Sequence, residues 1–154
     1  MMLQAASQIH FDQVDRHFPE QQRDHVGVSC GEIVHLLGSI TPLGIWRLEI
    51  ETGHFFWSED ASRIHGMEKS SGPVSLNQIL ATYHPEDAEY IEQVVGAATI
   101  KHNSFRFVMR VKDSRGTCRL VATAGGFRPD NGGELFGYCH EYNDMVRSIV
   151  LAGN

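Results

Sequence analysis

Nine histidines and three cysteines are the side chains of this 154-residue sequence best suited to metal or redox chemistry. A metal site on one helix or strand needs imidazoles or thiolates at short, face-sharing intervals. His10, His17, His25, His35, His54, His65, His84, His102 and His140 never fall one, three or four residues apart. No metal site is therefore predicted, and scattered, solvated imidazoles are expected. Cys30, Cys118 and Cys139 are odd in number and far apart, which fits neither a disulfide framework nor a zinc motif. If the 129–133 turn joins its neighbours directly, Cys139 lies near Thr123 and several residues along from Cys118. The thiols are then expected to be buried, reduced and packed as small apolar groups.

Acid–base catalysis would need titratable groups that converge, and His84, Asp87, His140 and Tyr142 are the candidates. Nothing in their spacing compels convergence, and the sequence has no G-x-S-x-G, phosphate loop or H-E-x-x-H. Asp87 already has an explanation: His84-Pro85-Glu86-Asp87 reads as a helix start, with proline at the first position and two acids in the first turn.

The elements that would position these residues follow from periodicity. Over 44–51, Trp46, Leu48 and Ile50 alternate with Arg47, Glu49 and Glu51, as in a strand with one buried face. Thr52-Gly53 turns the chain, and 54–58 runs back. Ser58 is a good N-cap for a short helix through Ile64, with Glu59 and Asp60 in its first turn. Gly72-Pro73 breaks the chain before another short helix over 75–80. The helix after His84 carries Tyr90, Ile91, Val94, Val95 and Ala98 as an inward stripe. Three longer strands are predicted over 104–111, 118–128 and 135–143, broken at 113–116 and 129–133. In the first of them Phe105, Phe107, Met109 and Val111 share a face opposite Arg106, Arg110 and Lys112. Residues 1–40 differ: Phe11, Val14 and Phe18 share a helical face ended by Pro19, and 31–37 reads as a second short helix. Both need an apolar surface elsewhere, on the open sheet face or on a second copy.

Composition narrows the class. The 42% hydrophobic and 21% charged content suits one ordinary soluble domain. With a net charge of −6 and scattered Lys and Arg, neither a nucleic-acid surface nor an anionic-membrane surface is expected. No apolar run approaches the ~20 residues of a membrane span, and the start lacks a signal peptide's regions, so a cytoplasmic location is expected.

Taken together, Gly44-Ile45-Trp46, Thr52-Gly53, Trp57-Ser58, Ile64-His65-Gly66, His84-Pro85-Glu86-Asp87, Arg110-Val111, Asp113 with Gly116, and Gly137 before Asp144 resemble the PAS sensory domain. The likeness is to the fold-3-like branch, marked by W-S at the second strand, an HPED-like helix start and a terminal D-I-T. It covers about residues 40–146. The last motif reads Asp144-Met145-Val146 here, so only the aspartate matches.

The resemblance implies an α+β fold: a five-stranded antiparallel sheet with helices on one face. Its parts would be flanking helices over 1–40 (a possible dimerisation segment), the PAS domain over 41–146, and a short tail over 147–154. Because the chain stops soon after Asp144, a stand-alone sensor without catalytic output is expected. The family holds small ligands between sheet and helix, which points here to Trp46, Phe56, Ile64, Ile79, Tyr83, Ile91, Val95, Phe107 and Met109. The same residues at the same spacings would also pack as a filled core with no ligand. The final aspartate of the family ties the last strand to the sheet, with Arg47 or Arg110 as partners for Asp144. Haem ligation is not expected, since the helix from Pro85 to Ile100 lacks histidine and His84 more simply caps it. A flavin photosensor would need a cysteine in the helical region, and none is there. The implied partners are a second copy, a kinase or other signalling protein, and a small apolar ligand. The rivals are a pure interaction module with a filled core and a small cystatin-like enzyme.

Overall fold

A computed structural model of the chain describes residues 8–12, 22–70, 72–113, 115–143 and 147–153. The chain divides into two units, Met1–Leu36 and Leu37–Asn154. In the first, residues 9–12 have no regular structure and 13–21, where most of the expected first helix falls, lie outside the described residues. A 3-10 turn spans Asp24–Val26, and helix α1 (Cys30–Ile40) begins there and ends in the second unit. Ser29 and Glu32 form a reciprocal cap at its start. The residues Ile33, Val34, Leu36, Leu37 and Ile40 of α1 are exposed.

The second unit holds a six-stranded, wholly antiparallel sheet in the order β3-β2-β1-β6-β5-β4. Its strands are β1 (Gly44–Glu49), β2 (His54–Trp57), β3 (Val74–Ser75), β4 (Phe105–Lys112), β5 (Cys118–Arg128) and β6 (Glu134–Glu141). The expected count of five is corrected by β3. Beyond Pro73 the chain stays extended long enough to pair His54 with Ser75 and Phe55 with Val74. Two residues carry no readable period, so sequence gives no sign of this strand. The closing meander is as expected, and β6 returns beside β1 with Trp46 opposite Gly137. Cys139 pairs with Thr123.

Three helices lie between β2 and β4: α2 (Glu59–Ile64), α3 (Leu76–Leu80) and α4 (Pro85–Lys101). Ser75 and Gln78 form a full capping box on α3. Ser58 stands at the N-cap of α2 but makes no side-chain cap. Its hydroxyl instead accepts the Ile45 N–H at 3.0 Å, and its own N–H bonds the Ile45 carbonyl at 2.9 Å. The residue thus joins the helix start to β1. His84 caps α4 through Nδ1, which accepts the Glu86 N–H at 3.3 Å.

The rim of the sheet at β4 is partly closed by the chain entering α4. Lys112 N–H bonds the Thr82 carbonyl, His84 N–H bonds the Arg110 carbonyl, and Tyr83 bridges Val111. Asp87 is buried there and takes the Arg110 N–H at 2.7 Å. Two glycines permit the close packing behind Trp46. A Cβ at Gly137 would lie 1.8 Å from the Ala124 carbonyl oxygen, and one at Gly125 would lie 2.7 Å from the rings of Trp46 and Phe105.

Candidate functional site

The period-two alternation of β1, β2, β4 and β5 sends one set of side chains under α3 and α4, where they enclose a small cavity. Its volume is about 40 Å³, with walls of Trp46, Leu48, Phe55, Trp57, His65, Leu76, Ile79, Leu80, Tyr83, Ile91, Val95, Phe105, Phe107, Thr123 and Cys139. That is room for about three water molecules.

Seven of those residues form a closed belt of rings. Centroids step from Trp46 to Phe55 (5.2 Å), Trp57 (5.8 Å), His65 (4.9 Å), Tyr83 (5.4 Å), Phe107 (6.3 Å), Phe105 (6.0 Å) and back to Trp46 (6.2 Å). These spacings lie within the range of favourable stacked and edge-on aromatic pairs. The belt is supplied by three strands, the residue after α2 and the residue two before α4, so it holds the sheet and the helical segment together.

The polar groups of the wall are uncharged and mostly engaged. His65 Nδ1 is 2.8 Å from the Ala61 carbonyl and Nε2 is 2.8 Å from the Tyr83 hydroxyl. A carbonyl only accepts, so Nδ1 carries the proton and Nε2 accepts from Tyr83. Burial, reinforced by the nearby Arg119 charge, pushes His65 down to about 4. Burial likewise raises the Tyr83 hydroxyl far above its ordinary range, and it pushes the Cys139 thiol up to about 12. Trp46 Nε1–H donates to the Tyr138 carbonyl at 3.3 Å. Trp57 Nε1 is buried and has no hydrogen-bond partner among the described residues, and the Thr123 hydroxyl neighbours that of Tyr83. An unmet buried polar group of this kind costs about 1–3 kcal/mol.

Of the nine residues predicted for the site, Trp46, Ile79, Tyr83, Ile91, Val95 and Phe107 stand in the wall. Phe56 does not: β2 runs through His54-Phe55-Phe56-Trp57, and it is Phe55 and Trp57 that face inward. Phe56 packs under the Arg47 guanidinium, 4.3 Å from its ring centre. Ile64 and Met109 are buried core residues outside the wall, one residue before His65 and one inward position beyond Phe107. Sequence reasoning passed over His65, expected among solvated histidines, although it is buried. The phase of β1 and β4 pointed to Leu48 and Phe105, and the register argument for Cys139 pointed to Thr123. For His65 the sequence held no signal.

Of the residues expected to couple the site outward, Arg47 and Arg110 have partners among the described residues. Arg110 grips Asp87 through Nε at 3.1 Å and Nη2 at 2.7 Å, with Glu86 at 3.4 Å. Arg47 bonds Glu134 at 2.9 Å, and Glu134 is fully buried. The Arg47 hydrogen bond keeps Glu134 below its ordinary carboxylate value. Asp144 lies outside the described residues. The four residues of the enzyme reading also have separate partners. Asp87 is held by Arg110, His84 caps α4, the His140 ring bonds the Glu141 carbonyl, and Tyr142 lies beneath Arg106. Cys30 is exposed, against expectation, while Cys118 is half-buried and Cys139 buried. Among the described residues no cluster of three or more His, Cys, Asp or Glu could hold a metal ion, and no helix is long and apolar enough to cross a membrane.

No protein-family profile matches the sequence, and no curated protein matches it. Solved structures do match the fold. A domain from Haloarcula marismortui aligns with a TM-score of 0.60 at 16% identity, covering 72% of this chain and 98% of that one. The N-terminal domain of a diguanylate cyclase with PAS/PAC sensor from Marinobacter aquaeolei gives 0.56 at 16% identity, covering 64% and 94%. A sensory box histidine kinase/response regulator from Burkholderia thailandensis gives 0.56 at 18% identity, covering 70% and 82%.

Proposed function

We propose, from the premise that this chain has the PAS fold, that it is a sensory domain in which a small molecule in the cavity alters association through the sheet. One observation carries the reading. β1 and β6 are single-layered between the cavity and the outer face: Trp46, Leu48 and Cys139 line the cavity, and Ile45, Phe136 and Tyr138 on the same strands are exposed and apolar. Ile45 sits opposite Tyr138, and Arg47 opposite Phe136. A change in the wall is therefore one residue away, along the backbone, from a surface suited to a partner. Exposed apolar groups so arranged favour protein contact.

The associating partner in this reading is a second copy, with the outer face and the 1–40 segment as its contacts, and a kinase or other signalling protein downstream. No catalytic step is assigned to the chain. A haem or flavin exceeds the volume by far, so the ligand is small. The experiment is native mass spectrometry of freshly purified protein alongside sedimentation at rising concentration. A stoichiometric small molecule, or an association constant that shifts when one is added, supports the sensor. A monomer whose association never responds overturns it.

A second reading, an interaction module with a filled core, is favoured by the small cavity volume. It expects concentration-dependent association that Phe136→Glu abolishes and no added small molecule alters.

A further inference from the structure

We infer that the cavity is dry and takes an apolar guest of about two to four non-hydrogen atoms, a dissolved gas or a short hydrocarbon, held by contact with its walls alone. The inference rests on the cavity being a ligand site and adds the class of the ligand.

Water is the first competitor. A buried water needs about two to four polar partners, and the wall has none to spare. The Trp46 N–H is spent on the Tyr138 carbonyl, the Tyr83 O–H on His65, and His65 Nδ1 on the Ala61 carbonyl. The Thr123 hydroxyl neighbours that of Tyr83. Trp57 Nε1 is unmet, but the atom has almost no surface of its own. What faces the space is almost wholly apolar: the belt of rings and the side chains of Leu48, Ile79, Ile91 and Val95. A space walled in this way stays dry.

Charged and polar guests fare no better. His65, Tyr83 and Cys139 are the titratable side chains of the wall, and each is neutral near pH 7. Arg119, the cation beside His65, is committed to the Ile64 carbonyl and to Glu141. A charged guest would shed its water and meet no counter-charge. A neutral polar guest would give up hydrogen bonds to water and receive none in return. An apolar guest gives up nothing and gains dispersion contact on every side.

Size sets the limit. The volume of about 40 Å³ is well below the ~150 Å³ that takes a benzene ring. The belt is closed on itself, so a larger guest must first part aromatic contacts.

Isoleucine methyl groups make the test internal. In the full chain carrying ¹³C at those methyls, Ile79 and Ile91 report on the wall, Ile64 on buried core outside it, and Ile45 on the exposed sheet face. Xenon and propane stand for the two sources, gas and hydrocarbon; ethanol is the polar counterpart of propane and benzene the oversized one. Xenon and propane should shift Ile79 and Ile91 saturably and leave Ile64 nearly still, the tighter of the two naming the source. Propane should bind at least about tenfold more tightly than ethanol, and benzene should have no effect. Val95→Leu and Val95→Ala, each checked for an unchanged backbone spectrum, lengthen and shorten one wall side chain; the first should weaken propane and the second strengthen it. Ethanol bound as tightly as propane overturns the apolar class, and benzene matching propane overturns the size limit, each leaving a ligand site standing. Shifts confined to Ile45, or none with any probe, overturn the ligand site and this inference together.

Discussion

Replacing Asp87 with alanine tests whether this carboxylate serves the sheet rather than the helix start. Its Oδ2 accepts from the Arg110 backbone N–H at 2.7 Å and from Nε at 3.1 Å, and Oδ1 accepts from Nη2 at 2.7 Å. The Asp87 side chain is 3% exposed and that of Arg110 17%, so truncation strands a backbone donor and a guanidinium that is largely out of water. Breaking a buried pair from one side costs about 3–5 kcal/mol. Arg110 keeps Glu86 at 3.4 Å and some solvent, which screens what remains. The expected loss is therefore about 2–4 kcal/mol, with Asp87→Asn roughly midway because it keeps an acceptor but no charge. Urea unfolding followed by tryptophan fluorescence at pH 7 measures it. The pH dependence gives a second check. Burial pushes Asp87 upward, but the hydrogen bonds and charge of Arg110 outweigh that and leave it below its ordinary value. Such a group stabilises fully above its unfolded value of about 4 and loses that contribution as pH falls through the lower folded value. The gap between wild type and Asp87→Ala should stay level from about pH 5 to 8 and narrow only below about pH 4. A loss under about 1 kcal/mol at pH 7, or a gap that fails to narrow in acid, refutes the argument.

Further outcomes follow from the same geometry. His65 is lowered from 6.5 to about 4, so the unfolded chain takes up its proton first as pH falls. Stability should drop by about 3 kcal/mol between about pH 6.5 and pH 4, a window above that of Asp87, and His65→Phe should flatten it in pH-resolved unfolding. Gly137→Ala places its Cβ 1.8 Å from the Ala124 carbonyl oxygen, which no side-chain rotation relieves; a loss of about 3 kcal/mol or more is expected in thermal or urea melts. Thiol titration with a chromogenic disulfide should show Cys30 reacting at once, Cys118 more slowly and Cys139 only on unfolding.

The strands of this fold were readable because alternation at β1 and β4 is clean: Trp46-Arg47-Leu48-Glu49 and Phe105-Arg106-Phe107 admit one phase only. At β2 the same logic failed, because His54-Phe55-Phe56-Trp57 is aromatic at every position and both phases look buried. β3 escaped because it is two residues long and follows a proline. Six wall residues are among those to which the PAS resemblance points, but the polar corner is not. A buried histidine such as His65 is indistinguishable in sequence from a solvated one, since only the Tyr83 hydroxyl and Ala61 carbonyl make its burial tolerable. Asp87 shows the same limit: its local context explains a helix start, while its energetic partner is 23 residues away. The Ser58 hydroxyl, suited by type to a helix cap, is claimed by Ile45 N–H for the same reason.

The two margins of the sheet carry a consequence for assembly. At one, the backbone of Thr82 and His84 and the Asp87 carboxylate already occupy the Arg110–Lys112 stretch; at the other, β3 offers only two residues behind Pro73. Neither border gives a long template onto which a foreign strand could zip, the usual route to runaway polymerisation. Contact at these borders is thereby left to side chains rather than to backbone pairing.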